Sequence, residues 1–367
     1  MKKILLLLLA FTLFSSFLVS CEIFNTEQQK STEKEMPTQP SEGLEFRLND
    51  DGTSYSAWGI GTCEDADVVI PDTYNGLPVT SVAHYAFKMC KSLERVKIPE
   101  SVTSIERGAF DYCQSLTTII IPKSVTTIVD SPFEACTALV KIEVDKDNQH
   151  YKSIDGNLYS KDGKTLIRYA IGKKDTEFTI SDFVTKVENH AFAECKALKS
   201  INMPDSVTSV GVYVFYRCAS LESIKLSNSI DEISWSMFKE CTSLTDIVIP
   251  NSVKSIGASA FDGCTALTEI VIPNDVTIIN GYTFAGCKSL QSINILGNVT
   301  KIGAYAFSQC TSLTKIVIPD SVERIDGFAF DYCSSLTIYC EASAQPSRWH
   351  PYWNHDNRLV VWGYTGK

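Results

Sequence analysis

Residues 256–276 read IGASAFDGCTALTEIVIPNDV, and the recurrence of this stretch decides the fold. Its Phe261 has counterparts at Phe87, Phe110, Phe133, Phe192, Phe215, Phe238, Phe284, Phe307 and Phe330. Successive members lie 23 residues apart, except for one interval of 59, which is one period plus 36. A fixed period in this range marks a solenoid, whose rungs bury their apolar faces only by stacking on one another. Within the unit, Ile256 points inward and Gly257 lets the chain turn. Ala260, Phe261, Cys264 and Leu267 predict a short helical turn with one buried face. Leu267 to Ile272 predicts a strand with Ile270 and Ile272 inward, and Pro273 ends it. A short polar residue follows most repeat Leu by eight positions (Ser101, Ser206, Ser252 and Ser321 among them) and is suited to bonding free backbone groups in the turn.

The 36-residue excess lies between Val144 and Val184 and carries Asp155-Gly156 and Asp162-Gly163 between apolar runs. Such turns predict β-hairpin structure added to the solenoid. Asp145, Asp147 and Asn148 loosely resemble the start of a calcium loop, but His150 occupies its glycine position and no Glu stands at the twelfth, so calcium is not expected. Solenoids need caps. A hairpin around Asp50-Asp51-Gly52 and a degenerate rung with Val69, Val79 and Val82 suit the N-terminal end. Trp349, Trp353 and Trp362 suit the C-terminal end, either burying the open core or forming a ligand site. The organisation expected is a signal segment at 1–20, a tether at 21–43, a cap and first rung at 44–82, a solenoid at 83–340 with its insert at about 145–183, and a cap at 341–367.

Lys2 and Lys3 precede the apolar run Ile4 to Val19, which is shorter than the ~20 residues a membrane-spanning helix needs and has the make-up of a secretory signal. It ends Leu18-Val19-Ser20-Cys21, which resembles the bacterial lipobox, whose Cys is lipidated and becomes the first residue. An ordinary signal peptide with an incidental Cys is the alternative. Glu22 to Gly43 is rich in Gln, Glu, Ser, Thr and Pro and buries too little to fold, as a flexible tether would. Lipid and tether together predict a chain anchored to a membrane without spanning it. The net charge of −10, or −12 without Lys2 and Lys3, excludes nucleic acid as a natural partner and excludes a polybasic lipid-binding patch.

Thirteen Cys would suggest disulfides in a secreted chain. Ten of them, however, lie three residues after each repeat Phe and three before each Leu, where a free thiol acts as a small apolar residue. Disulfides between adjacent rungs are allowed on distance alone. No Cys-x-x-Cys occurs and no His accompanies the repeat Cys, so no zinc or other metal site is expected. The five His are scattered, and neither a Gly-x-Ser-x-Gly, a His-Glu-x-x-His nor a phosphate loop occurs. No catalytic residues, no cofactor and no enzyme activity are expected.

Two surfaces offer themselves for contact. One is an exposed strand column with Val248, Val271 and Val317. Exposed apolar strand residues mark a contact surface, or are ordinary β-formers. The other is an aromatic column two residues before the repeat Phe, with Tyr85, Tyr213, Tyr282, Tyr305 and Phe328. Tyr favours interfaces, though these rings equally serve to cover the turns.

The unit Ile302-Gly303-x-x-Ala306-Phe307-x-x-Cys310-x-x-Leu313-x-x-Ile316-x-Ile318-Pro319-x-Ser321-Val322, the Asp155-Gly156 and Asp162-Gly163 insert, and Ile338-Tyr339-Cys340 with Trp349 and Trp353 resemble the BspA-like class of bacterial leucine-rich-repeat surface proteins. The resemblance covers about Leu44 to Tyr364 and implies a leucine-rich-repeat solenoid of stacked parallel strands and short helical turns. It further implies a surface-exposed outer-membrane lipoprotein, anchored through Cys21, acting as an adhesin toward fibronectin- or fibrinogen-like host proteins or other cells. No binding motif carries over. The alternative is a structural or self-associating envelope lipoprotein. The caps favour a monomer.

Overall fold

The computed structural model describes residues 35–295 and 298–366. The signal segment, the Leu18-Val19-Ser20-Cys21 lipobox, most of the tether and the Leu296-Gly297 pair lie outside them. Contacts divide the chain into Met1–Thr38 and Gln39–Lys367. The described residues of the first unit form no strand, and the second holds every strand. No described helix is long and apolar enough to cross a membrane.

The second unit is a parallel β-solenoid of the leucine-rich-repeat type. Pairing runs in register at 23-residue offsets, as in Glu269–Ile272 against Ser292–Ile295, or Ser200–Asn202 against Ser223–Lys225. A second column of two-residue strands stacks likewise, with Ile279 on Ile302 and Ile302 on Ile325. The repeat Phe side chains are fully buried and stack nearly face to face, with ring centroids 5.3 Å apart at Phe215–Phe238 and 5.8 Å at Phe110–Phe133. Identical rings stack because the rungs themselves stack at the strand spacing of about 4.8 Å.

The predicted helical stretch is replaced by hydrogen-bonded turns, and among the described residues there is no helix. Asp262, Cys264 and Leu267 each donate to the carbonyl three residues earlier. The N–H groups of Ser259, Phe261 and Gly263 point along the solenoid instead, to Gly281, Thr283 and Ala285 of the next rung. Ser259 and Gly263 stand at φ 56 and φ 77, in the left-handed region that breaks a helix. Inter-rung bonding thus outcompetes the intrahelical bonds that the apolar spacing alone suggests.

The repeat Cys are more than apolar filler. In eight of the ten, Sγ donates to the carbonyl of the Phe 26 residues before it, at 3.1 Å for Cys264 to Phe238 and 3.0 Å for Cys333 to Phe307. Cys113, Cys136, Cys218, Cys241, Cys287 and Cys310 do the same. Burial pushes the Cys241 and Cys264 thiols up, so they stay protonated donors. All twelve described Cys are free thiols. The turn serines divide: Ser252 and Ser321 bond carbonyls of the preceding rung, while the Ser101, Ser124 and Ser206 hydroxyls are buried without a partner.

At the N-terminal end, Glu45–Leu48 pairs antiparallel with Tyr55–Gly59. At the other end, Trp353 meets Phe330 edge-on at 6.0 Å and packs on Trp349 at 4.8 Å, so the indoles close the aromatic column. Tyr151–Ile154, Asn157–Ser160 and Thr165–Arg168 fill the insert as an antiparallel set. Asp155 and Gly156 stand at φ 48 and φ 73, as a two-residue hairpin turn of mirror-image type requires.

Candidate interaction surfaces

The insert interrupts the solenoid and divides its core. One apolar cluster runs from Leu44 to Leu158 and another from Tyr159 to Trp353. Tyr169 takes the next place in the aromatic column, stacking on Phe192 at 5.3 Å. Between it and Phe133 lies Arg168, fully buried. Its guanidinium donates to the carbonyls of His190, Phe133 (3.0 Å) and Ala193 (3.4 Å). Among the described residues no carboxylate pairs with it directly, and burial pulls its pKa down.

Two crevices open at this junction, of about 300 and 230 Å³, and share Asp130, Ser131 and Asn189. Asp130 and Ser131 both stand in the left-handed region, at φ 30 and φ 39. Burial pushes the Asp111 carboxyl up to about 6. Burial and then the Arg168 charge push His190 down to about 4, so its ring is neutral at pH 7. Asp111 Oδ1 accepts the Glu134 amide and Asn189 Oδ1 the Val212 amide, each 23 residues on. Asp111 and Asn189 are thus spent on joining rungs, while His190 Nδ1 is buried without a partner. Neither crevice is visible in the sequence, because both arise where two stacks of rungs meet.

Some surface charges are likewise paired between rungs. Lys199 meets Glu222 at 2.9 Å, Arg217 meets Glu240 at 2.8 Å and Lys239 meets Asp262 at 2.8 Å. Such exposed pairs contribute little to stability.

The strand column is different. Val248 is 76% exposed and Val271 55%. They are one rung apart, and the strand ladder lapses at 246–249, between the pairings that end at Ser223–Lys225 and resume at Glu269–Ile272. Val317 is half-buried, set in register beside Tyr339, which packs on Tyr364 at 4.8 Å. The three valines therefore form an exposed pair and a separate, covered member.

The aromatic column forms two stacks rather than one. Tyr282, Tyr305 and Phe328 stack at 4.9 and 5.2 Å within 13° of parallel. Tyr213 lies between His190 at 4.9 Å and Trp235 at 5.0 Å. Every one of these positions except Trp235 has positive φ, from 56 to 61. Tyr282 is exposed, while Tyr213 and Tyr305 are half-buried. Mutual stacking occupies most of their faces.

A family model described as the BspA type leucine rich repeat region matches residues 63–167, 171–277 and 254–344, in six copies. Among solved structures, a leucine-rich cell surface protein of Faecalibacterium prausnitzii is 33% identical over 82% of this chain, with a TM-score of 0.47. The chain spans 63% of that protein's length. The pneumococcal vaccine antigen PcpA is 17% identical over 90% of this chain and 100% of its own, and a leucine-rich-repeat protein of Eubacterium ventriosum 24% over 84% and 95%. Both reach a TM-score of 0.50 and share the fold. No curated protein matches the chain.

Proposed function

Because the chain belongs to the BspA-type leucine-rich-repeat family, we propose that it is a protein-binding module displayed at the cell surface, with no enzymatic role. The observation that carries this is the exposed Val248–Val271 pair on the strand face of a rigid solenoid. Apolar side chains held on a rigid sheet lose little entropy when a partner covers them. Tyr282, Tyr305 and Tyr213 lie on the turns and form a secondary contact at most. The Leu18-Val19-Ser20-Cys21 sequence supports anchoring through a lipid on Cys21, with residues 22–43 as tether and the outer membrane as the site of display. The protein acts as an adhesin-like monomer toward matrix or plasma proteins.

The test is direct binding of the purified chain to immobilised fibronectin, fibrinogen and other matrix proteins at physiological salt, beside V248D/V271D. Saturable binding that the double variant loses, while keeping its circular dichroism, supports the reading. Equal binding by the folded variant sinks the site, and no binding to any of the set sinks the host-protein partner. Labelling with radioactive palmitate, lost in C21S, checks the anchor.

A further inference from the structure

Asp331 follows the last repeat Phe, and His355 and Asp356 belong to the C-terminal cap. Stacking brings the three together: His355 Nδ1 lies 3.1 Å from Asp331 Oδ1 and 3.5 Å from Asp356 Oδ1. One donor atom from each residue lies within 4.8 Å of those of the other two. The Asp331 side chain is only 8% exposed, and it bonds the imidazole. A carboxylate so buried normally finds a backbone or hydroxyl donor, and this one instead faces a second carboxylate and a ring nitrogen.

The other side chains are already oriented. Asp356 Oδ2 accepts the Tyr332 amide and the Arg358 guanidinium, both at 2.7 Å, which leaves Oδ1 turned to His355. The imidazole rests against the Phe328 ring at 5.0 Å. Of the two carboxylates, Asp356 meets the Arg358 guanidinium. For donors about 2.0–2.2 Å from zinc, a tetrahedron has edges of about 3.3–3.6 Å. The separations of 3.1 and 3.5 Å fall close to that spacing.

We propose that Asp331, His355 and Asp356 bind a divalent cation of the zinc class, with water completing its coordination. One imidazole nitrogen and two carboxylate oxygens match the donor preference of such an ion. The ion would staple the last full repeat to the cap that closes the aromatic column. Only the solenoid's stacking reveals the group, since Asp331 precedes His355 by 24 residues with no ligand spacing between them.

The experiment is titration of the chelator-washed chain with zinc chloride, by calorimetry and by thermal unfolding. One equivalent should bind and raise the Tm, and chelator should reverse the rise. D331N and H355Q should each weaken binding at least about tenfold, while H84Q and C63S leave it unchanged. Cobalt in place of zinc should give weak visible bands without the intense sulfur charge-transfer band of a thiolate site. H355Q alters a half-exposed side chain, so it stays informative if D331N fails to fold. No zinc uptake by the folded chain, undiminished uptake by H355Q, or a thiolate spectrum would each overturn the proposal.

Discussion

The Arg168 guanidinium donates to the Phe133 carbonyl at 3.0 Å, across the one interval where the phenylalanine column skips its period. Elsewhere a ring covers a ring. Here a buried fork of N–H groups holds carbonyls from the rungs on both sides, Phe133 before the insert and His190 and Ala193 after it. A lysine has the charge but not the planar fork, so it cannot reach carbonyls of both stacks at once. R168K is expected to destabilise the chain by about 2–4 kcal/mol. Amide exchange should quicken at residues 131, 133 and 190–193 before the distant rungs respond. Unchanged stability would mean that the two stacks are joined by apolar contact alone.

The Tyr151 hydroxyl performs a related task at the strand edge. It accepts the Ile128 amide at 2.9 Å and approaches the Thr126 carbonyl at 3.4 Å, where the next rung's backbone would otherwise pair. Y151F keeps the ring and removes the plug. A loss of about 1 kcal/mol is expected, with faster exchange of the Ile128 amide. An Ile128 amide as protected as in the parent chain would refute the role.

The thiol ladder separates one Cys from another. Cys264 is buried and bonds the Phe238 carbonyl at 3.1 Å, whereas Cys90 is half-buried and makes no such bond among the described residues. C264A removes a donor and leaves a small void, and should cost about 1–2 kcal/mol. C90A should cost less than half as much. Equal losses in urea unfolding would reduce the ladder to packing.

Most of the solenoid was legible because its determinants are local and repeated. Phe261, Cys264, Leu267, Ile270 and Ile272 are all buried, as their spacing predicts. The turns were misread as helical because side-chain spacing reports which residues face inward, not where the N–H of Phe261 is donated. The exposure of Val248 followed from strand alternation, but the covering of Val317 depends on Tyr339 beside it, on which Tyr364 of the cap packs. Arg168 and the Asp331–His355–Asp356 group were illegible for one shared reason. Each gathers residues from different rungs at a place where the repeat is broken, so no period marks them.

Asp111 offers a test of the junction by pH. Its carboxyl lies in the crevice wall beside Arg168's carbonyl cluster, and burial pushes its pKa up to about 6 from an ordinary 3.8. A raised carboxyl favours its neutral form in the folded chain. Its contribution to stability is therefore full below pH 3.8 and is lost as pH rises through about 6. D111N fixes the neutral form and keeps an oxygen for the Glu134 amide, which Asp111 Oδ1 accepts at 3.0 Å. The variant should match the parent near pH 4 and exceed it by about 1–2 kcal/mol at pH 7. His190 titrates in both proteins and so drops out of the difference to first order. Thermal unfolding of the pair from pH 4 to pH 7 measures it. A flat difference would show that the carboxylate is solvated through the crevice, and that the junction is wetter than the burial of Asp111 implies.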